Sequence, residues 1–244
     1  MTRVLAIPLF CIAAHAAEVA QFRAEDFGPA WPSTSGRFSL SAVHPAADGW
    51  AAASLDGEGV SFRPAGALAS PLEFGPSATG AVSRVLVVAS CTDPVSLATL
   101  VDAPAGASLA PRMFDWDAAF FAGGTSLGSA GISVDGVSGA PLSAGRTPHL
   151  VEIAFPQPVP ARGLFLGGSP ATPVWNRSWP GFVHEALFCF GDMPARDLAA
   201  LRSYLSLRWT PGARFGETPP GIAFLLRSLG VDSGALYAAT LILR

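Results

Sequence analysis

At 244 residues the chain is too long for a small scaffold held by staples and falls within the range of one large β-sandwich, so one main core is expected. Hydrophobic residues make up 50% of the chain and charged residues only 14%, which excludes disorder driven by charge. All fifteen basic residues are arginine and the formal net charge is −3, so there is no basic stripe for nucleic acid and no polybasic membrane patch.

Taken in chain order, Arg3 is followed by an apolar stretch over residues 4–14, and Ala14-His15-Ala16 places small residues at the two positions a signal peptidase reads. Residues 1–16 are therefore expected to be a signal peptide cleaved after Ala16, which gives a secreted, periplasmic or cell-surface protein. A buried first strand or helix is the alternative. Phe10 before Cys11 disfavours lipid anchoring. No later segment has the roughly 18–20 continuous apolar residues of a membrane span.

The body reads as short strands broken by Gly, Pro, Ser and Asp, most clearly at 82–89, 131–137, 150–155, 164–167 and 182–190. Asp135-Gly136 between Val134 and Val137 has the chemistry of a tight hairpin turn. The proline-rich runs 156–160 and 170–173 are expected to be connections or sheet edges, because proline cannot donate to a ladder. Turns this frequent imply antiparallel pairing. Cys91 and Cys189 each end an apolar run; they are expected either to form one disulfide or to be two separate buried thiols.

One helix is predicted over 194–209. Leu198, Leu201, Leu205 and Trp209 recur at spacings of three and four, and Arg196, Arg202 and Arg208 fall mostly on the other side. Residues 210–244 form a tail with a short helix candidate at 222–229 and a strand candidate at 236–243.

The run Gly181-Phe182-Val183-His184-Glu185-Ala186-Leu187-Phe188-Cys189-Phe190, followed by a helix ending Tyr204-Leu205-Ser206-Leu207-Arg208-Trp209, resembles the closing strand and helix of bacterial concanavalin A-like (laminin-G-like) domains. Residues 57–62, 84–89 and 164–168 look like earlier strands of that family, and the likeness spans roughly residues 18–209. The chain departs from the family where an aromatic-Asp pair is usual: it has Cys189-Phe190, with Asp192 displaced. The resemblance implies an all-β protein, an antiparallel jelly-roll β-sandwich over residues 17–209 with the C-terminal amphipathic helix packed on it. Members of the family bind carbohydrate or protein.

Four constellations could carry chemistry. Gly124-Thr125-Ser126-Leu127-Gly128 matches a nucleophile elbow, but a strand and hairpin follow it where that motif needs a helix, so Ser126 reads as a turn serine. Asp115-Trp116-Asp117 would place two carboxylates about 7 Å apart on one strand face, near the inverting-glycosidase window. No Glu begins the Glu-x-Asp-x-x-Glu strand of the sandwich glycosidases, so a diverged hydrolase is the minority reading. A solvated loop, or a Ca2+ site without a supporting motif, is the alternative. Trp175-Asn176-Arg177-Ser178-Trp179 could stack sugar rings on Trp175 and Trp179 while Asn176 and Arg177 bond hydroxyls, or the indoles could simply cover a sheet edge. Glu185 reads as a buried structural carboxylate, with His184 on the opposite face. The expected function is a non-enzymatic exported module for carbohydrate or a surface partner, with a structural or assembly domain as the alternative.

Overall fold

A computed structural model describes residues 17–44, 49–57, 59–63, 67–93, 98–102, 131–170, 178–209, 229 and 231, and the backbone of 110–113 and 120–123. The elements are β1 (Glu18–Arg23), a 3-10 turn (Ala24–Asp26), β2 (Trp31–Pro32), β3 (Ser39–Ala42), β4 (Ser54–Asp56), β5 (Gly59–Ser61), β6 (Leu72–Phe74), β7 (Ala81–Cys91), β8 (Ala98–Thr99) and β9 (Val101–Asp102). They continue with β10 (Ala110–Met113), β11 (Phe120–Gly123), β12 (Gly131–Val134), β13 (Val137–Ser138), β14 (Gly145–Pro160), β15 (Phe165–Leu166), β16 (Gly181–Phe190) and α1 (Ala195–Trp209). The fold is mostly β, sandwich-like, and closed by one C-terminal helix.

The larger sheet runs β13-β12-β14-β7-β16-β5-β4, with β1 also on β16; a five-stranded sheet runs β2-β3-β6-β15-β9, and β11-β10-β8 form a third, small sheet. Every ladder is antiparallel, as the frequent turns required. The hairpin between β12 and β13 turns at Asp135 (φ 51°) and Gly136 (φ 81°), a pair of left-handed positions that this dipeptide tolerates.

The two larger sheets meet through aromatic rings. Phe22 of β1 and Phe188 of β16 pack edge-on against Phe74 of β6, at centroid distances of 5.7 and 4.8 Å, and Phe38 stacks on Phe190 at 4.9 Å. The other face of the large sheet carries a second core, in which Val19, Leu86, Val88, Leu187 and Cys189 pack against Leu198, Leu201, Tyr204 and Leu205 of α1. Each fully buried leucine there stabilises the fold by about 1.5–3 kcal/mol. Because α1 covers this face, all ten residues of β16 are buried, which is why the strand reads as an apolar run rather than as an alternation. The leucine spacing of the helix thus has the packing it predicts. Its arginines differ from expectation: Arg202 and Arg208 reach back to carboxylates of the sheet, Arg202 while still partly exposed to water.

Residues 156–160 also differ, since they continue β14 rather than leaving it. They lie where its register against β7 slips between Ala154 and Val159 and where β12, paired only to 151–154, has ended, so the prolines interrupt little of the ladder. The tail touches its own chain: Leu229 and Val231 are buried in the second core, and the Val19 N–H donates to the Leu229 carbonyl at 3.2 Å. The helix candidate at 222–229 except Leu229, the strand candidate at 236–243, the leader at 1–16 and the proline run at 170–173 except Pro170 lie outside the described residues.

Cys91 and Cys189 are free and buried, so of the two readings the disulfide is not the one formed. Cys91 sits opposite Gly181 and Cys189 opposite Arg84, which separates the two by most of the length of β7, about 23 Å at strand rise, and Cys91 faces the first core while Cys189 faces the second. Burial pushes both thiols up to about 12. Alkylation followed by peptide mass mapping is expected to leave both unmodified in the native protein and to modify both after denaturation; a linked pair would stay unmodified in each.

Gly181 fixes the approach of β16 to β7, because a Cβ there would lie 1.9 Å from the Ser90 carbonyl oxygen and 2.8 Å from the Cys91 Cα, both backbone atoms that cannot swing away. Gly181→Ala is expected to cost more than about 2 kcal/mol in urea unfolding.

Candidate functional site

The site is built by irregularities in two strands that flank Ser90 of β7. On one side, β14 pairs Gly145 with Cys91 and then His149 with Ala89, so Arg146, Thr147 and Pro148 bulge out opposite Ser90. On the other side, β16 pairs Val183 with Ala89 and then Glu185 with Val88, which leaves His184 as an extra residue. A bulge of this kind puts two successive side chains on one face. Val183 and Ala186 point into the first core, and His184 and Glu185 therefore both face the α1 side. This corrects the expectation that His184 points away from Glu185 without a partner: its Nε2 is 3.1 Å from Ser90 Oγ, and its ring is 5.3 Å from that of Trp209.

The bulges, the 3-10 turn, the β4–β5 connection and the end of α1 enclose an open cleft of about 650 Å3. Leu55, Pro148 and Trp209 supply apolar walls, while Glu25, Arg146, Thr147 and His184 supply polar groups. The Arg146 guanidinium lies over the Phe182 ring at 5.4 Å, which braces a side chain that is otherwise exposed. This mixture of apolar walls with a few convergent donors and acceptors suits a hydroxyl-rich organic ligand.

Beneath the cleft, the Glu185 carboxylate is fully buried and held from several elements. Oε1 accepts from Gln21 Nε2 of β1 at 2.6 Å and from the Tyr204 hydroxyl at 2.9 Å. Oε2 accepts from Trp209 Nε1 at 2.8 Å and lies 3.2 Å from Arg208 Nε. Arg208 in turn bonds Glu25 at 2.5 Å. Burial and the adjacent Glu185 charge push the Tyr204 hydroxyl above its ordinary range, so it remains a donor. Burial works against the Arg208 charge, but the carboxylates of Glu185 and Glu25 outweigh it and hold the guanidinium protonated. Glu185 is thus the structural carboxylate the sequence suggested, and its partners fix the orientation of Trp209 in the cleft wall.

A second cleft of about 450 Å3 lies along the same edge of α1 and shares Thr147, Pro148 and Trp209 with the first. Its polar groups come in pairs. His149 Nδ1 is 2.7 Å from Asp135 Oδ2, and Glu152 accepts from Arg202 Nε and Nη2 at 2.6 and 2.7 Å and also from Arg84.

The sequence had pointed to a different loop. Trp175, Asn176 and Arg177 lie outside the described residues. Trp179 is fully buried and donates from Nε1 to the Ser90 carbonyl at 3.0 Å, so its indole has no open face for a sugar ring and serves packing instead. Asp115, Asp117 and Ser126 also lie outside the described residues, as does any Ca2+ site built on the two aspartates. Among the described residues, no three His, Cys, Asp or Glu side chains converge on a point that could hold a metal, and no helix is long and apolar enough to cross a membrane. Sequence reasoning missed Arg146, Leu55 and Glu25. The one available signal was Pro148, which marks an irregular place in a strand. Compared with models of known families, with curated proteins and with solved structures, the chain finds no match.

Glu152 gives the site a dependence on pH. Burial acts to raise its pKa, but the hydrogen bonds and charges of Arg202 and Arg84 outweigh burial and hold it below the ordinary value of 4.5. Its ionised form therefore stabilises the fold fully above 4.5, and that contribution is lost as pH falls through the lower folded value. Arg202→Met removes part of this support and is expected to move the acid-unfolding midpoint to higher pH, read by circular dichroism.

Proposed function

We propose that this chain is an exported, non-enzymatic binding module that takes a neutral carbohydrate in the cleft beside Ser90. The observation that carries the reading is the pair of bulges on β14 and β16, which open a cleft of ligand size next to the end of α1 and line it with Trp209, Leu55, Arg146 and Glu25. Bulges re-aim side chains at the cost of ladder hydrogen bonds, so two of them on either side of the Val88–Ser90 stretch of β7 favour a binding role over a purely structural one. The Glu25 carboxylate is already tied to Arg208 and the Glu185 carboxylate to four donors, which favours a ligand rich in hydroxyls over a charged one.

The likeness to concanavalin A-like domains belongs to the same reading: the two larger sheets would be the layers of a jelly-roll sandwich, and the Glu185 contacts to Tyr204 and Trp209 join the residues on which the likeness rests. The leader at 1–16 would deliver the module to the periplasm, the cell surface or the medium. A structural or assembly role is less well supported, because the tail that would add a strand to a neighbour packs Leu229 and Val231 on its own sheet.

Titration calorimetry against a panel of neutral polysaccharides tests the reading. Arg146→Ala removes an exposed side chain from the cleft and is expected to weaken binding at least about tenfold, as for a charge-assisted hydrogen bond. The thermal midpoint should stay near that of the wild type. Affinity unchanged in this variant would place the ligand elsewhere.

A further inference from the structure

The two clefts are adjacent halves of one groove, and the geometry points to a ligand that fills both: a linear, neutral oligosaccharide rather than a mono- or disaccharide. The inference rests on the binding reading above and extends it along the helix. Thr147, Pro148 and Trp209 line both clefts, so only the β14 bulge and one indole stand between a space of about 650 Å3 and one of about 450 Å3. Each is by itself within the size range of a small-ligand pocket, so a single compact sugar leaves one of them empty. A chain passing over the Trp209 ridge occupies both.

The second cleft carries the chemistry for such a chain. Its charges are spent on one another: Asp135 accepts from the Leu150 N–H at 2.9 Å and lies within hydrogen-bond distance of His149, and Glu152 is bonded by two nitrogens of Arg202. A charged ligand would have to break these pairs. A hydroxyl-bearing one need only use what they leave, namely the free lone pairs of the Asp135 carboxylate, whose side chain is 55% exposed, and the remaining donors of Arg202, whose side chain is 45% exposed. Leu205 and the shared Trp209 and Pro148 provide the apolar floor, as Leu55 does on the other side. The ridge itself is rigid, because the Trp209 Nε1 bond to the buried Glu185 holds the indole in place; two subsites joined across it gain affinity from their linkage without any new contact.

The test compares gluco- and chito-oligosaccharides of two and six units on the full chain by titration calorimetry. The hexamers are expected to bind at least about tenfold more tightly than the dimers, about 1.4 kcal/mol. Ser206→Trp, a change at an exposed helix position that lines only the second cleft, fills that cleft and should bring the hexamer-to-dimer ratio close to one. A ratio near one in the wild type, with Arg146→Ala still weakening both lengths, overturns the two-cleft inference and leaves the first cleft as the site. A ratio of ten or more that Ser206→Trp does not change also overturns it, because the gain then arises outside the second cleft. Binding of neither length removes the carbohydrate reading and the inference together.

Discussion

A carboxylate with no exposure to water holds three parts of this molecule in register. Glu185 lies on β16, an interior strand of the large sheet, and receives hydrogen bonds from Gln21 on β1 and from Tyr204 and Trp209 on α1, with Arg208 beside it. Burying such a charge is costly unless its lone pairs are filled, and here both oxygens are. Loss of any one partner would leave the others around an incompletely satisfied charge, so the cluster acts as a unit and specifies where the helix sits. Apolar packing of Leu198, Leu201 and Leu205 supplies the stabilisation, but leucine contacts alone would tolerate sliding of the helix along the sheet in a way that the Glu185 bonds do not.

The same placement creates the groove. A helix fixed with its C-terminal end beside Ser90 puts Trp209 against the bulges of β14 and β16, and the space they cannot fill becomes the two clefts. The bulges have a local reason as well. Gly181 lets the β16 backbone approach β7 more closely than a Cβ permits, and an extra residue at His184 restores the inward face for Ala186, Phe188 and Phe190 beyond it. Pro148, which cannot donate to β7, sits in the corresponding bulge of β14. Core packing and groove formation are therefore two results of one adjustment in register.

Much of the fold was legible because it depends on local chemistry. Asp135-Gly136 requires left-handed backbone and therefore a turn, the leucines of 198–205 fall on one helical face, and the apolar run at 182–190 is a strand buried on both sides. The site was less legible. Trp179 looked like a sugar platform because a large aromatic in a polar loop reads the same whether it is buried or displayed, and only its contact with Ser90 separates the two. Arg202 and Arg208 looked like solvated helix residues because periodicity reports the direction of Cα–Cβ bonds, whereas a long guanidinium side chain can reach around the helix to a carboxylate on the sheet.

By itself the sequence determined that this chain is predominantly β, pairs its strands antiparallel, and follows its closing strand at 182–190 with an amphipathic helix, since turn residues and hydrophobic period act over a few neighbouring positions. Only the tertiary structure decided that Cys91 and Cys189 stay apart in separate cores, that His184 shares a face with Glu185, and that two clefts lie beside the end of α1. Those outcomes depend on strand register, which is a balance among residues distant in the chain: one extra residue in a strand reverses the face of everything before it, and no window of sequence shows which residue will be the extra one.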